Sequence, residues 1–536
     1  MSKTTESVPA PGEKDEAARS ELQEFLDISR QRRLIFPQAA LVGLCAGLVA
    51  LAFRASLAGA DFLRARMSVR AHGLPAGGWI FPVLLTTLGA AVSVAITRRY
   101  APEAGGSGIP HLEAVLHRIR NLHWQRLLPV KFLGGILAIG SGLALGREGP
   151  TVQMGGAVGG AVARLLKTSE RERLTLISAG AGAGLAAAFN APLSGLVFVL
   201  EEVRRDFQPI VFGAAFLAAA VADIVARIGS GQFPIFSVPS YPVPPLTALP
   251  VFALLGVAAG LLGVLFNRSL MAAIRGYARI PARFAVPAAA LTGGIVGLAG
   301  WFAPDLIGSG HSLAESTLKG EVLMAAIPLI FASRFLLTTA SYGTGAPGGI
   351  FAPLLVLGAL IGLAVGHAAH HLAPGVVPVP AVFAVVGMAA YFTAIVRAPL
   401  TGIMLILEMT GNYSQMLPLL VSCFCAYATA EMLKEMPIYE ALLQRDLRRG
   451  GGATFLKVPV VIDFIIRENA PFAGRELRTL GLPSGCILVR CSDGSREWVP
   501  KADTRLMPHM SVTAVIAPEA TSGLELLRIG CGTISD

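Results

Sequence analysis

Three short segments carry groups able to hold a small anion: Gly106-Ser107-Gly108-Ile109-Pro110, Gly146-Arg147-Glu148-Gly149-Pro150 and Gly349-Ile350-Phe351-Ala352-Pro353. In each, a glycine-containing turn runs into a proline. Proline suits a first helical turn, because its missing N–H would have no intrahelical partner there anyway. After the first segment, Leu112, Val115, Leu116 and Ile119 continue at helical spacing. The expected products are helix N-termini, each with free N–H groups and the positive end of a dipole, and Ser107 adds a neutral hydroxyl donor. Three such ends meeting would attract a small anion. The competing reading is packing, since small-residue motifs also let helices kink and approach closely in membranes.

The elements that must position these segments lie in a bilayer. The chain has 536 residues, of which 54% are hydrophobic and only 15% charged, against roughly 25% in soluble globular proteins. Mean hydropathy is +0.63. These values exclude an ordinary soluble enzyme, and the high apolar content excludes a disordered chain. From Phe335 to Val396, 62 residues pass without one Asp, Glu, Lys or Arg. One crossing needs about 20 apolar residues, so this run crosses or re-enters more than once. Shorter runs, Ala248 to Phe266 and Phe284 to Pro304, are each about one span long. Transmembrane barrels show alternating segments of about ten residues instead, so the fold class is an all-α polytopic membrane protein. Glycine and proline clusters inside the apolar region predict broken helices, which are tolerated at membrane depth where they line a pathway.

The first 33 residues are polar and lack a signal core, and Arg30, Arg32 and Arg33 precede the first span, so the N-terminus is expected in the cytoplasm. Spans near Leu34–Leu63 and Gly78–Thr97 lead to Arg98 and Arg99, and the last, near Leu417–Leu433, runs towards Arg445, Arg448 and Arg449. Arg64, Arg66 and Arg70 then face outside, against the positive-inside rule. The net charge of +10 fits this membrane bias better than a nucleic-acid surface, because no basic run is interleaved with aromatics. The six cysteines form no CxxC pair and read as reduced. His367, His370 and His371 have helical spacing, but at the edge of a span they read as interfacial rather than metal ligands. Arg334 and Arg397, which flank the uncharged run, also read as interfacial.

An internal repeat organises the membrane part. Gly106-Ser107-Gly108 returns as Gly308-Ser309-Gly310, 202 residues on. The frame Gly146, Pro150, Gly155, Gly159 returns as Gly349, Pro353, Gly358, Gly362, displaced by 203. Ala191-Pro192-Leu193-Ser194-Gly195 with Glu201 returns as Ala398-Pro399-Leu400-Thr401-Gly402 with Glu408, displaced by 207. Collinear matches of this kind imply a duplicated fold, with repeats at about 34–230 and 245–442. The residues alone leave open whether the halves are parallel or inverted.

The three opening segments, in this order and spacing, resemble the signature segments of the CLC chloride channel and transporter family. Phe189-Asn190-Ala191-Pro192, Glu201-Glu202, Glu408-Met409-Thr410 and Pro437-Ile438-Tyr439 extend the resemblance over roughly residues 34–442. It implies inverted repeats and a homodimer whose subunits each have their own anion pathway. Matched by position, Ser107 and Tyr439 are expected to hold chloride by their hydroxyls, and Ile350 and Phe351 by backbone amides. Neutral donors bind weakly enough for release, as turnover requires. Glu148 matches the external gating glutamate, whose carboxylate occupies the anion site when ionised and leaves it when protonated. The alternative for Glu148 is a simple pair with Arg147. Glu202 matches the internal proton-transfer group of exchangers, a position that channels usually fill with an uncharged side chain; its alternative is a helix-end carboxylate paired with Arg204 or Arg205. Glu201 reads as structural, because Glu408 repeats it. Lys131 and Glu113 match a buried pair that supports the anion's field.

The tail is a small α+β cytoplasmic domain, about 453–536, beyond a Gly450–Gly452 linker. Strands are expected at Val458–Ile466, Ile487–Cys491, Arg496–Val499 and Ser511–Ala517, the middle pair a hairpin about Ser492-Asp493-Gly494-Ser495. The segment Ala473–Pro483 is similar to TrkA-C regulatory domains, which implies a small ligand or a dimer contact. The expected function is chloride/proton antiport in a bacterial inner membrane, with both termini cytoplasmic and no resident cofactor or metal. The alternatives are a gated chloride channel or an antiporter for another anion such as nitrate. No HExxH, Gly-x-Ser-x-Gly or Walker-type sequence points to an enzyme.

Overall fold

Short half-helices alternate with full spans in the computed structural model, which describes residues 11–449 and 460–532 apart from positions 75, 206, 233, 469, 494, 495, 518 and 519. The first half contains α1 (Pro11–His72), α2 (Ile80–Tyr100), α3 (Ile109–Leu116), α4 (Trp124–Ser141), α5 (Glu148–Leu165), α6 (Glu170–Phe189), α7 (Pro192–Phe198) and α8 (Pro209–Ser230). The second repeats the series as α9 (Leu249–Arg279), α10 (Ala285–Phe302), α11 (His311–Leu318), α12 (Ile327–Gly343), α13 (Phe351–Leu372), α14 (Ala381–Val396), α15 (Pro399–Thr410) and α16 (Met416–Met432), and α17 (Ile438–Arg449) follows. Among the described residues seven helices are long and apolar enough to cross a membrane. By contrast α3, α7, α11 and α15 have 8, 7, 8 and 12 residues, too few for the roughly 20 a crossing takes. Of the glycine and proline clusters, the first opens the short α3, whereas the other two open the longer α5 and α13, of 18 and 22 residues.

The repeated glycines have two separate jobs. Gly155 and Gly159 of α5 lie against α6, where an added Cβ would stand 2.1 Å from the carbonyl oxygens of Gly180 and Leu176. Gly358 and Gly362 of α13 lie in the same way against α14, 2.5 and 1.9 Å from those of Gly387 and Phe383. These four allow backbone-to-backbone packing where no side chain fits. Gly146 and Gly349, by contrast, join the halves: each donates its N–H to the other's carbonyl at 2.7 Å. Residues equivalent in the repeat thus meet each other antiparallel, as a local two-fold requires.

A second reciprocal link involves Glu201 and Glu408. Glu201 accepts from the N–H groups of Leu400 (3.1 Å) and Thr401 (2.7 Å) at the start of α15. Glu408 accepts from those of Leu193 (3.0 Å) and Ser194 (2.8 Å) at the start of α7. Each half supplies a carboxylate to a helix N-terminus of the other, where free donors and the dipole favour it. This accords with the structural reading of Glu201.

The interfacial readings of Arg334 and Arg397 are wrong. Arg334 is fully buried and Arg397 is 9% exposed. Arg397 ends α14 in the left-handed region at φ 70° and donates to the carbonyls of Ala394 and Glu435. Arg64, expected to stand against the positive-inside rule, turns back onto protein: it pairs with Asp61 at 2.9 Å and donates to the Gly140 carbonyl at 3.2 Å.

The chain divides into two compact units, Met1–Glu113 with Leu122–Ala441, and Ala114–Asn121 with Leu442–Asp536. The second contains an antiparallel sheet in the order β1-β4-β2-β3, with β1 at Val460–Ile465, β2 at Cys486–Ser492, β3 at Glu497–Trp498 and β4 at Ser511–Ile516, and then α18 (Thr521–Gly530). The hairpin forms as expected from β2 and β3. The 450–452 linker, the first two residues of the expected first strand and the hairpin's Gly494 and Ser495 lie outside the described residues. The helix after β4 was not foreseen. Alternation along β2 buries Cys486 and Leu488, and an irregularity between Leu488 and Arg490 brings Cys491 to the same core as Leu527 and Cys531. Burial pushes the Cys531 thiol up to about 11, which leaves it protonated and unreactive near neutral pH.

Candidate functional site

The start of α5 and the start of α13 are brought together by the Gly146–Gly349 link. Gly349 leaves room for no side chain, since its Cβ would stand 3.0 Å from the Gly149 amide nitrogen. The first backbone bonds of the two helices are Thr151 N–H to Arg147 O (3.0 Å) and Leu354 N–H to Ile350 O (2.9 Å). The N–H groups of Ile350, Phe351 and Ala352 therefore precede the intrahelical ladder of α13. The start of α3 joins them, because the Cα of Gly149 packs on Ser107, where a Cβ would be 2.8 Å from the serine Cβ. Three helix N-termini thus converge, as the sequence pattern anticipates.

Ser107 is 1% exposed, and Tyr439, Ile350 and Phe351 are fully buried. The Ser107 N–H donates to the Tyr342 hydroxyl at 3.3 Å, and its own Oγ accepts from Ile109 N–H at 3.4 Å. The Tyr439 hydroxyl has no hydrogen-bond partner among the described residues. Tyr439 lies within electrostatic reach of Tyr342, Glu202, Glu113 and Glu148. A buried hydroxyl without a partner costs about 1–3 kcal/mol, which a bound acceptor relieves. Phe351 is fixed by a ring cluster, with Phe189, Phe198 and Phe392 at centroid distances of 6.0, 5.9 and 4.6 Å.

The Glu148 carboxylate folds back over this junction. Its Oε2 accepts from the Ala352 N–H at 3.3 Å, while Oε1 stands 4.0 Å from Arg147 Nε. The side chain is 3% exposed, and Arg147 also donates to the Ala188 carbonyl at 3.4 Å. The carboxylate is therefore attached to the start of α13 and is not merely a partner of Arg147. Beyond it opens a cavity of about 270 Å³, lined among others by Arg54, Asp61, Arg147, Ser309 and His311.

Glu202 stands in a single turn of π-helix, Val199–Val203, that continues α7. The α-helix gives way after Phe198, and the extra residue per turn separates Glu201 and Glu202. Glu201 reaches the start of α15, whereas Glu202 is 3% exposed with Arg205 at 3.8 Å. No hydrogen bond reaches Glu202 Oε1 among the described residues.

The Lys131–Glu113 pair is not formed. Lys131 is fully buried, but its Nζ donates to the carbonyls of Ala104 (2.8 Å) and Gly106 (2.7 Å). These groups hold the turn before α3 in shape, so the lysine is spent on backbone rather than carboxylate. Glu113 instead faces Glu202, Arg205 and Glu440. Arg334 does in the second half what Lys131 does in the first. It donates to Leu306 O (2.8 Å) and Gly308 O (2.7 Å), before α11. The signal was present in the sequence, since Arg334 stands 203 residues after Lys131, within the repeat offset. Tyr342, the partner of Ser107 from 235 residues away, left no such signal.

Residues 88–431 match the family model described as voltage gated chloride channel, and residues 461–527 match the TrkA-C domain. The chain is 42% identical over 417 residues to the H(+)/Cl(-) exchange transporter ClcA of Vibrio parahaemolyticus, covering 76% of this chain and 89% of that protein. The corresponding transporter of Vibrio cholerae is 39% identical over 439 residues, covering 80% and 92%. Among solved structures, a slow cyanobacterial Cl-/H+ antiporter superposes with a TM-score of 0.75 at 37% identity, covering 77% of this chain and 98% of that one. A eukaryotic CLC transporter shares the fold at a TM-score of 0.67 and 24% identity, over 82% and 77%. With most of its membrane part matched, and with the broken helices of both halves in place, the chain belongs to the voltage-gated chloride channel family.

Proposed function

We propose that this multi-pass membrane protein is a chloride/proton antiporter. One observation carries the reading: the Glu148 carboxylate accepts from the Ala352 N–H at the start of α13, where a transported anion would take the same donor. An ionised Glu148 then competes with chloride for the positive helix end. Protonation removes its charge and that attraction, so that chloride enters and the carboxyl leaves carrying a proton. Chloride is held by the hydroxyls of Ser107 and Tyr439 and the amides of Ile350 and Phe351. The unpartnered Tyr439 hydroxyl and the open N–H groups of α13 support this assignment. Glu202 exchanges protons with the opposite side; its burial, without a hydrogen bond to one oxygen among the described residues, supports that role. Lys131 and Arg147 act through the field and through backbone geometry, and Glu113 as a neighbour of Glu202. The exchange activity named for the ClcA relatives agrees with this reading.

The protein works as a homodimer in a bacterial inner membrane, with its termini in the cytoplasm, where the TrkA-C unit takes a small ligand. Transport requires no resident cofactor. The test uses the full chain in liposomes with a chloride gradient and no proton gradient. Chloride flow should drive protons uphill in the opposite direction. Chloride flux that reverses at the chloride equilibrium potential without proton movement would establish the channel reading instead.

A further inference from the structure

The anion pathway above uses the first Gly-Ser-Gly turn and leaves the second without a task. The two turns are built alike. Lys131 ties back the carbonyls of Ala104 and Gly106, and Arg334 ties back those of Leu306 and Gly308. The first turn presents an almost fully buried Ser107 to the central junction. The second, Gly308-Ser309-Gly310, presents the half-buried Ser309 and the solvent-reaching His311 to the 270 Å³ cavity outside Glu148. Two guanidiniums share that cavity. Arg54 donates to Asn190 Oδ1 at 3.1 Å, and Arg147 to Ala188 O, which fixes both heads at its wall. The His311 ring is held by stacking on Phe236, with centroids 5.0 Å apart and planes 16° from parallel.

We propose that this cavity is itself an anion site, distinct from the position occupied by Glu148, which captures a small monovalent inorganic anion between Ser309, His311, Arg54 and Arg147. Protonation of His311 governs its occupancy. The inference deepens the chloride reading by adding a station before the gate.

The charges facing His311 come from several elements. Arg54 and Asp61 stand on α1, and Arg147 and Glu148 at the start of α5. Glu315 lies one turn on in α11, and Asp305 in the turn before it. Three of the carboxylates already have partners: Asp61 has Arg64 at 2.9 Å, Glu315 has Lys319 at 2.9 Å, and Asp305 accepts from Ser312 Oγ at 2.9 Å. With Glu148 engaged at Ala352, the arginines set a standing positive field, and His311 supplies the increment that changes with pH, over a range that burial and the Arg147 charge push below that of an ordinary imidazole. One added charge within a few ångströms, in a partly solvated site, changes anion affinity by at least about tenfold.

Crystals of the full chain soaked in bromide, with anomalous scattering recorded at pH 4.5 and pH 8, test this directly. The expected result is bromide in the cavity beside Ser309 and His311, with a half-saturating concentration about tenfold higher at pH 8. His311→Gln should abolish that pH difference, whereas Asp61→Asn should retain it. A cavity without bromide at saturating concentration at both pH values, in crystals that do hold bromide between Ser107 and Tyr439, overturns the proposal. Bromide in the cavity but not at the centre would uphold it and overturn the central assignment instead. A transport measurement covers variants that fail to crystallise. In the Glu148→Ala background, which removes the gate's own titration, half-saturation for chloride on the cavity side should still rise about tenfold from pH 4.5 to 8. Adding His311→Gln should flatten that dependence; an unchanged slope counts against the proposal.

Discussion

The two halves of the membrane unit share a scaffold and differ in chemistry. Lys131 and Arg334 hold equivalent turns. Glycines at equivalent positions close α5 on α6 and α13 on α14, and Glu201 and Glu408 cap helices of opposite halves. Asn190 and Arg397, 207 residues apart, end α6 and α14 in the same left-handed conformation, at φ 51° and 70°. The proton-handling candidates break the pattern. At the repeat offsets, Glu148 corresponds to Phe351 and Glu202 to Met409. Duplication therefore explains the architecture, whereas Glu148 and Glu202 have no ionisable counterpart across the local two-fold. On the proposed function, a symmetric frame with these two carboxylates in one half would give protons a route that the other half does not repeat.

Experiments that exchange features between the halves test this contrast. The largest effect is expected at Glu148. Glu148→Ala should abolish chloride-driven proton movement in liposomes while chloride flux continues; retained coupling would remove the gate from this residue. Next is Glu202→Met, which installs the second half's residue. Proton flux should fall by about tenfold or more with a smaller change in chloride flux, as loss of a positioned proton carrier predicts. An equal fall in both fluxes would make Glu202 structural. Lys131→Met should strand the Ala104 carbonyl and leave that of Gly106 to the Gly348 N–H, and Arg334→Met should strand those of Leu306 and Gly308; each should cost about 1–3 kcal/mol by thermal or chemical unfolding in detergent. A large cost for one and none for the other would end the equivalence of the two turns. The smallest effects should come from Glu201→Gln and Glu408→Gln. Each loses charge-assisted bonds worth about 1–2 kcal/mol, with proton coupling unchanged in both variants.

The sequence makes the broken helices legible because glycine and proline punctuate them, and a turn followed by proline fixes where free N–H groups begin. Ser107, Glu148, Ile350 and Phe351 meet for that local reason, each within two residues of a helix start. Arg334 was misread by the same local logic. A cation beside a 62-residue uncharged run looks interfacial until its partners, the carbonyls of Leu306 and Gly308, are known. Lys131 shows the complementary error. An opposite charge nearby suggests a carboxylate pair, yet the carbonyls of Ala104 and Gly106 outcompete Glu113. The π turn at Val199–Val203, which sends adjacent glutamates to different tasks, follows from packing that no short motif records.

The mutual bonds of Gly146 and Gly349 also restrict how the protein can move. Glu148 lies two residues from a backbone segment stapled to the opposite half, and the Glu201 and Glu408 caps add further ties across the same boundary. Rocking one half against the other, the usual way to expose a central site alternately to each side, would break the staple and both caps together. A side chain turning about its own bonds breaks none of them. On the function proposed above, access would be controlled by a latch a few atoms long, mounted on a frame that these ties hold together.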